Sequence, residues 1–563
     1  MNTLNRYRAC AGFAVLFISL FILFLYLEIE TFEPHPSMIF RIAGALADAS
    51  LVSLPLLFLR GKWRFVAGTV AVAVGALIFA NVLYFRNFND LIPASLYWHN
   101  QAGDSLVVNS ALQSLRFSDI IVVVFSLLPL VWMIFDKKWL TDRNDRKHML
   151  YAVLVSLVLG WGVTMFGSIR RGSIGDPSRQ TGIGEMLFPD ADTDWISYYN
   201  SMNFTGYAVR VVSRSHVERK TLSDDEIRQI RHYLQEKSEY RFARRDSAID
   251  RNLVFIVVES LPSVALESDF SASVAPVMSG LTSDTATIYV KRCKVLADLG
   301  RSSDAQFMYN TGLLPLRDDI LVTNYASNDY PSIAKALGIE SMEIIGEDKR
   351  MWSHAQTSKS FGFSRLIDKA GASGELRQFD LDSVIFRTAA REIERLAKPC
   401  FMFIASVSMH DPYTSPAVTH RLPKDSIDCK DARDMEYMQR LHHFDAALGR
   451  FIGELKRQGI YDMTTVVIAG DHEIRSSMVS EALHDDAVPL LILNSPVSSD
   501  YATEATQADV FPTIIDIMGV SYRFMDADYT GIGKSIFLRH PGSASRHPSF
   551  RDYEISEKII KWE

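Results

Sequence analysis

The chain has 563 residues, 48% of them hydrophobic, with 59 Lys+Arg against 66 Asp+Glu and a net charge of −7. That balance argues against a nucleic-acid partner, and four cysteines in this length provide no disulfide framework. The hydrophobic share averages two unlike parts, an apolar first third and a remainder of ordinary soluble composition.

Five apolar runs fill the first third: Ala11–Leu27, Ile39–Leu59, Phe65–Tyr84, Ile120–Phe135 and Met149–Phe166. Each has roughly the length that crosses a bilayer. A cleaved signal peptide would account for the first run only, and no A-x-A-like site separates it from the second. Arg6 and Arg8 precede the first run, Arg60, Lys62 and Arg64 separate the second from the third, and Lys137, Lys138, Arg143, Arg146 and Lys147 separate the fourth from the fifth. The alternate loops are poor in basic residues: Glu28–Ser37 has none and Phe85–Asp119 has only Arg86 and Arg116. The positive-inside bias therefore predicts a cytoplasmic N-terminus and an external position for everything after Phe166. Arg170 and Arg171 stand on the outer side against that bias, as a solvated turn or a contact to lipid phosphates. Within the second run, Arg41 lies near the outer end, where it can snorkel, and the deeper Asp48 must face protein or water.

Residues 169–247 read as a juxtamembrane connector after a transmembrane domain at 1–168. Inside it, Asp224–Lys237 is predicted as a charged amphipathic helix opened by the cap region Ser223–Asp225. It either packs on the soluble domain or lies along the membrane. From 248 to 540, short apolar strands alternate with helical segments. The strands are Leu253–Val258, Thr287–Val290, Ser341–Ile345, Cys400–Val407, Thr464–Ala469 and Val488–Leu493; the helices are Tyr330–Leu337, Asp382–Ala397, Asp431–Gln458 and Thr506–Ile517. This rhythm predicts an α/β domain with a mainly parallel central sheet and helices on both faces, followed by a tail at 541–563.

Three stretches in that domain carry chemistry: NLVFIVVES at 252–260, GRSSD at 300–304 and GDHE at 470–473. Two are buried-strand patterns whose C-terminal tips present Glu259 and the pair Asp471–His472, where ligands collect in such sheets. The third offers a hydroxyl, Ser302 or Ser303, beside Arg301. Two carboxylates, an imidazole and a hydroxyl make a four-ligand set for one divalent cation, and a hydroxyl on such a cation becomes a nucleophile near neutral pH. His410 falls at another predicted strand end.

The motifs VVES (257–260), GRSSDAQFMYNTGLLPL (300–316), GEDKRMW (346–352), SVSMHDPY (406–413), AGDHE (469–473), VPLLI (488–492) and QADVFPTIIDIMG (507–519) succeed one another along the chain. With five preceding spans, this order resembles the lipoteichoic acid synthase and phosphoglycerol transferase group of the alkaline phosphatase–sulfatase superfamily. The resemblance implies an enzyme, a phosphotransferase of the bacterial cytoplasmic membrane with an extracytoplasmic sulfatase-like domain. It implies metal ligation by Glu259, Ser302, Asp471 and His472, with Ser302 as nucleophile, His410 as proton partner, and Mn2+ favoured over Zn2+. It implies a phospholipid donor, phosphatidylglycerol or phosphatidylethanolamine, and a glycan or glycerol-phosphate acceptor. The chain departs from the group around Trp352: Ile345 and His354 stand where a His and an Arg are usual, Glu347 stands where an Asp is common, and Lys349 and Arg350 add charge. Arg301, Glu347, Trp352 and His354 are therefore expected to line an altered head-group pocket, Trp352 forming its apolar wall. Phosphoglycerol transfer is the first expectation; a phosphoethanolamine transferase, a hydrolase of the same fold and a non-catalytic lipid-sensing protein are the alternatives. The C/S-x-P-x-R motif of sulfatases proper is missing, which disfavours sulfate ester hydrolysis.

Overall fold

The structure is a computed structural model. It describes residues 3–31, 38–59, 61–88, 91–92, 96, 114–135, 143–175, 203–205, 208, 219–239, 250–317, 319–368, 382–410, 413, 422, 427, 429, 431–474, 479–540, 542 and 546–562. It divides into two compact units, Met1–His216 and Val217–Glu563.

Among the described residues of the first unit, five helices are long and apolar enough to cross a membrane: α1 (Thr3–Thr31), α2 (Met38–Leu56), α3 (Arg64–Phe88), α4 (Ile120–Phe135) and α5 (Arg143–Gly175). Leu16, Leu20, Leu23, Leu27, Ala45, Ala49, Ala67, Ala71 and Ile78 form their common core. The charged groups inside find partners, as an apolar solvent requires. Arg86 donates to Glu30 at 2.7 Å and to Asp119 at 2.9 Å, and Tyr26 donates to the same Asp119 at 2.6 Å. These residues stand at the ends of α1 and α3 and just before α4, so the three helices share that face of the bundle, as alternating spans require. Arg41 is buried, and its Nη1 donates to the Ile29 carbonyl at 3.3 Å. Asp48 faces protein, accepting the Phe204 N–H at 3.0 Å and the Thr205 N–H at 2.9 Å. Phe204 is itself buried against Phe24.

The second unit is built on an eight-stranded sheet in the order β4-β3-β5-β1-β6-β7-β2-β8. The strands are β1 (Asn252–Val258), β2 (Ile288–Lys294), β3 (Glu340–Ile345), β4 (Arg365–Ile367), β5 (Cys400–Ala405), β6 (Thr464–Gly470), β7 (Ala487–Leu493) and β8 (Glu504–Thr506). All run parallel except β7. Central strands of such a sheet are covered on both faces and read as unbroken apolar runs. Accordingly β1, β5, β6 and β7 are buried at every position. Each large aliphatic or aromatic side chain so buried contributes about 1.5–3 kcal/mol. Seven helices of this unit matter for the site and its supports: α6 (Asp224–Ser238), α7 (Pro276–Ser283), α8 (Ser302–Thr311), α9 (Asp382–Arg395), α10 (Ala432–Arg457), α11 (Val510–Met518) and α12 (Phe550–Ile560).

The helix predicted inside the connector packs on this second unit. Ser223 and Glu226 close a capping box at its start. Its buried Tyr233 donates to Asp552 of α12, and Arg231 pairs with Asp526 at 2.7 Å. The division between units thus falls between His216 and Val217, and both α6 and α12, placed by the sequence in connector and tail, belong to the second unit. The buried cysteines Cys293 and Cys400 are free.

Candidate active site and metal centre

The site forms where three parallel strands end together. Val258 of β1 registers with Gly470 of β6, so Glu259 and Asp471 emerge side by side. The Asp471 N–H donates to the Val258 carbonyl at 3.1 Å. Gly470 is required there, since a Cβ on it would stand 2.5 Å from the Leu261 carbonyl oxygen. On the other side of β1, the Ser406 N–H beyond β5 donates to the Val257 carbonyl at 2.9 Å, and the Glu259 N–H donates to Ser406 Oγ at 2.9 Å.

A sharp turn brings the hydroxyl in. Arg301 has φ 50° and ψ −120°, a conformation that L-residues adopt only when the surroundings impose it. Asp304 imposes it by accepting the Asp298 N–H at 3.0 Å and the Gly300 N–H at 2.9 Å. Helix α8 then starts at Ser302, which is its first residue and not its cap. Ser302 Oγ lies 3.2 Å from Glu259 Oε2 and 3.2 Å from His472 Nε2. Ser303 turns the other way, buried and donating to the Gly300 carbonyl at 2.6 Å. Of the two serines, only Ser302 joins the charged groups.

Glu259, Asp471 and His472 are buried, and one ligand atom from each lies within 4.8 Å of the others. His472 Nδ1 lies 2.9 Å from the Glu473 carbonyl, which fixes the ring as an Nδ1–H donor and leaves the Nε2 lone pair facing the carboxylates. Burial, and then the neighbouring Glu259, hold the Asp471 carboxyl well above the ordinary range. Crowded carboxylates with an imidazole lone pair and a hydroxyl fit one divalent metal ion, whose charge would relieve that crowding.

A second ring of contacts supports these groups. Ser260, at φ 49°, donates its N–H to Asp471 Oδ1 at 2.8 Å and its hydroxyl to Glu259 Oε1 at 2.8 Å. Gln507 donates to the Asp471 carbonyl at 2.6 Å and accepts the Leu296 and Ala297 N–H groups at 2.7 and 2.9 Å. Tyr309 of α8 donates to the Gly470 carbonyl at 2.6 Å. Sequence reasoning singled out none of these. Ser260, Gln507, Tyr309 and Ser406 all lie inside the matching motifs, but these partners are 36 to 211 residues away, save for the adjacent pair Ser260 and Glu259.

The remaining expected residues lie on the turn before α8 and on segments that leave the same edge of the sheet. His410 sits in the turn after β5, half-buried, its N–H donating to the Val407 carbonyl at 3.0 Å. Arg301 is buried with Nη1 3.9 Å from Glu473 Oε1. Strand β3 ends level with β5 and β1, Ile345 pairing with Ala405 and Ala405 with Val257. The segment 346–352 therefore leaves the same sheet edge as Glu259. It starts beside the His410 turn, because a Cβ on Gly346 would stand 2.6 Å from Val407 Cγ1. His354 is buried between Glu347 (Nε2–Oε2 3.7 Å) and Glu343 (Nδ1–Oε1 3.9 Å). Burial lowers its pKa, but the two carboxylates outweigh that and raise it. Trp352, at φ 46°, is half-buried at the far end of this segment.

The lipoteichoic acid synthase N-terminal domain family matches residues 1–174, and the sulfatase family matches residues 251–520. The chain is similar to lipoteichoic acid synthases along most of its length, carries a sulfatase-family segment, and is a phosphotransferase. Lipoteichoic acid synthase 2 of Bacillus subtilis is 23% identical over 491 residues, covering 82% of this chain and 72% of its own length. Lipoteichoic acid synthase of Staphylococcus aureus is 24% identical over 528 residues, covering 87% and 78%. The structure of lipooligosaccharide phosphoethanolamine transferase A from Neisseria meningitidis aligns with a TM-score of 0.54 at 13% identity, over 92% of this chain and 99% of that one. This synthase-like chain thus shares with it the fold of a five-helix membrane domain and a sulfatase-like domain.

Proposed function

We propose that this protein moves the phosphoryl head group of a membrane phospholipid, through a covalent intermediate on Ser302, to a hydroxyl of a cell-envelope glycan or polymer. The observation that carries the reading is the position of Ser302 Oγ, 3.2 Å from both a carboxylate and an imidazole nitrogen of the buried set. Its place in the first turn of α8 adds the favourable end of the helix dipole to an incoming phosphate.

Glu259, Ser302, Asp471 and His472 would hold one divalent ion; the mixed oxygen and nitrogen donors suit Mn2+ or Zn2+, and Mn2+ is favoured by the resemblance to lipoteichoic acid synthases. That ion supplies Lewis acidity toward a phosphoryl oxygen and lowers the pKa of the serine hydroxyl. Ser302 Oγ gives up the proton it directs at Glu259 and attacks phosphorus in line. The bond from phosphorus to the diacylglycerol oxygen breaks, and His410 protonates that oxygen as it leaves. Neutral His410 then removes the proton of the acceptor hydroxyl, whose oxygen attacks phosphorus; the bond from phosphorus to Ser302 Oγ breaks, and Ser302 takes back its proton from Glu259. Histidine suits both steps, since it titrates near the working pH. The spans keep the catalytic unit on the same chain as its lipid-facing anchor, on the outer side of the membrane that the bias of the basic loops favours, so that the lipid need not be extracted into water.

Phosphoglycerol is the favoured head group, supported by the lipoteichoic acid synthases among the relatives. Phosphoethanolamine is the second reading, which the departures of this chain at Ile345, Glu347 and His354 permit. Arg301 and Trp352 complete the proposed head-group contacts. The test is mass spectrometry of the full chain after incubation with vesicles of phosphatidylglycerol or phosphatidylethanolamine alone. A mass on the Ser302 peptide equal to one head group supports the reading and names the donor. Undiminished turnover with Ser302→Ala refutes it.

A further inference from the structure

Asp382 is buried at the start of α9, and neither the motifs nor the metal set accounts for it. Its Oδ1 accepts the Val407 N–H at 2.8 Å, and its two oxygens share the Ser408 N–H at 3.3 Å each. In return its own N–H donates to Ser408 Oγ at 2.8 Å. Residues 406–410 form the turn that carries His410, closed by the His410 N–H on the Val407 carbonyl at 3.0 Å. One side of this turn is held by Glu259 through Ser406 Oγ, and the other by Asp382.

Helix α9 is a firm base for such a clamp. Phe386, one turn beyond Asp382, packs on Phe451 and Phe444 of α10 with ring centroids 5.3 and 5.8 Å apart. Ile385 and Val407 both crowd Gly346, where the 346–352 segment begins. A carboxylate is a costly choice for this buried position: burial pushes Asp382 up to about 7 against the N–H groups it accepts, and Glu259 adds to the rise. A neutral capping group would hold a merely structural turn with less strain, so the acid points to a demand for accurate placement of the imidazole at the end of the turn.

We infer that Asp382 is a positioning residue for His410, fixing the turn 406–410 so that the imidazole stands where proton transfer to and from the substrate oxygens requires it. The inference rests on the proposed role of His410. It predicts that Asp382 acts on the chemical step and only through His410.

The test is a double-mutant cycle on the full chain in lipid vesicles, with Asp382→Asn, His410→Ala and the pair. Asn retains the shape but presents an N–H2 where the Ser408 N–H needs an acceptor. The expected result is a fall in kcat of about 10- to 100-fold for Asp382→Asn, the range for supporting partners of site residues. KM and metal content should stay at wild-type values, and the double variant should be no worse than His410→Ala alone. Wild-type kcat in Asp382→Asn overturns the inference, as do losses that multiply in the double variant or a loss of metal that accounts for the fall. His410→Ala at full turnover overturns the role of His410 itself and the inference with it, whereas an inactive His410→Ala beside a fully active Asp382→Asn overturns the inference alone. Should Asp382→Asn not fold, Ser408→Ala removes the return bond only. It should lower kcat about threefold to tenfold with the same non-additivity, and wild-type kcat there also overturns the inference.

Discussion

Replacing Ser302 by Ala separates chemistry from structure more cleanly than any other change in the site. Ser302 Oγ contacts Glu259 and His472 at 3.2 Å and its side chain fills no part of the apolar core. Its removal should change stability by no more than about 0.5 kcal/mol. If the hydroxyl is the nucleophile, kcat should fall by about 1,000-fold or more, equivalent to at least about 4 kcal/mol of barrier. Ser303→Ala is the matched control. It deletes a buried bond to the Gly300 carbonyl, but that carbonyl keeps the Ser303 N–H at 2.9 Å, so the stability cost should be about 0.5–1 kcal/mol. Turnover in Ser303→Ala should stay within about tenfold of wild type, the loss coming from a looser Arg301 turn. The assay is release of diacylglycerol from vesicles, read beside a thermal melt and metal analysis of each variant. Ser302→Ala retaining more than about a tenth of wild-type turnover would refute covalent catalysis by this residue. An inactive, well-folded Ser303→Ala beside an active Ser302→Ala would move the nucleophile by one position.

Chelation should abolish turnover, and His472→Ala should lower bound metal, because it removes the nitrogen donor of a set lying within 4.8 Å; metal analysis showing a metal-free protein with full activity would contradict the assignment. Asp48→Ala should free the segment at Phe204, since it deletes two charge-assisted hydrogen bonds worth about 1.5–3 kcal/mol each. Limited proteolysis near residue 204 in nanodiscs should accelerate at least about tenfold, and an unchanged rate counts against the docking. Asp445 accepts the Val277 and Met278 N–H groups at the start of α7, and burial raises its pKa to about 6. Its native form binds a proton more tightly than the unfolded chain, whose value is near 3.8. The stabilisation is therefore full below that value and is lost as pH rises through about 6, by up to about 3 kcal/mol. Melting of wild type relative to Asp445→Asn should accordingly favour wild type more at pH 5 than at pH 7.5, and a difference that does not change with pH would reject this.

The parts legible in the sequence were those whose signal is local. β1 and β6 read as apolar runs ending in acids because both faces of each are covered, and the five spans read directly from length and apolarity. The order of strands was not legible, since β1 lies between β5 and β6, whose partners in it are about 150 and 210 residues away. Nor was the reversed direction of β7, or the three-residue strands β4 and β8, which are too short for a periodic pattern. Helix α6 showed its cap and its charged face, but its place was decided by Asp526 and Asp552, 295 and 319 residues on. The partner of Arg41 was not legible either, because the Ile29 carbonyl that it meets belongs to another helix.

The serine pair shows why a site can be chemically legible yet geometrically open. Ser302 and Ser303 are identical in composition and adjacent in sequence, so residue chemistry alone leaves both as candidates. The choice is made by Arg301, a residue with no intrinsic preference for positive φ, held at φ 50° because Asp304 gathers the N–H groups of Asp298 and Gly300. That turn sends one hydroxyl toward Glu259 and His472 and the next one back to the Gly300 carbonyl. Asp304 thus does for Ser302 what we infer Asp382 does for His410: a buried carboxylate fixes backbone N–H groups so that the neighbouring functional side chain has one place to stand. A chain that uses two such carboxylates around a site already crowded by Glu259 and Asp471 accepts electrostatic strain for position, which is the requirement of in-line transfer.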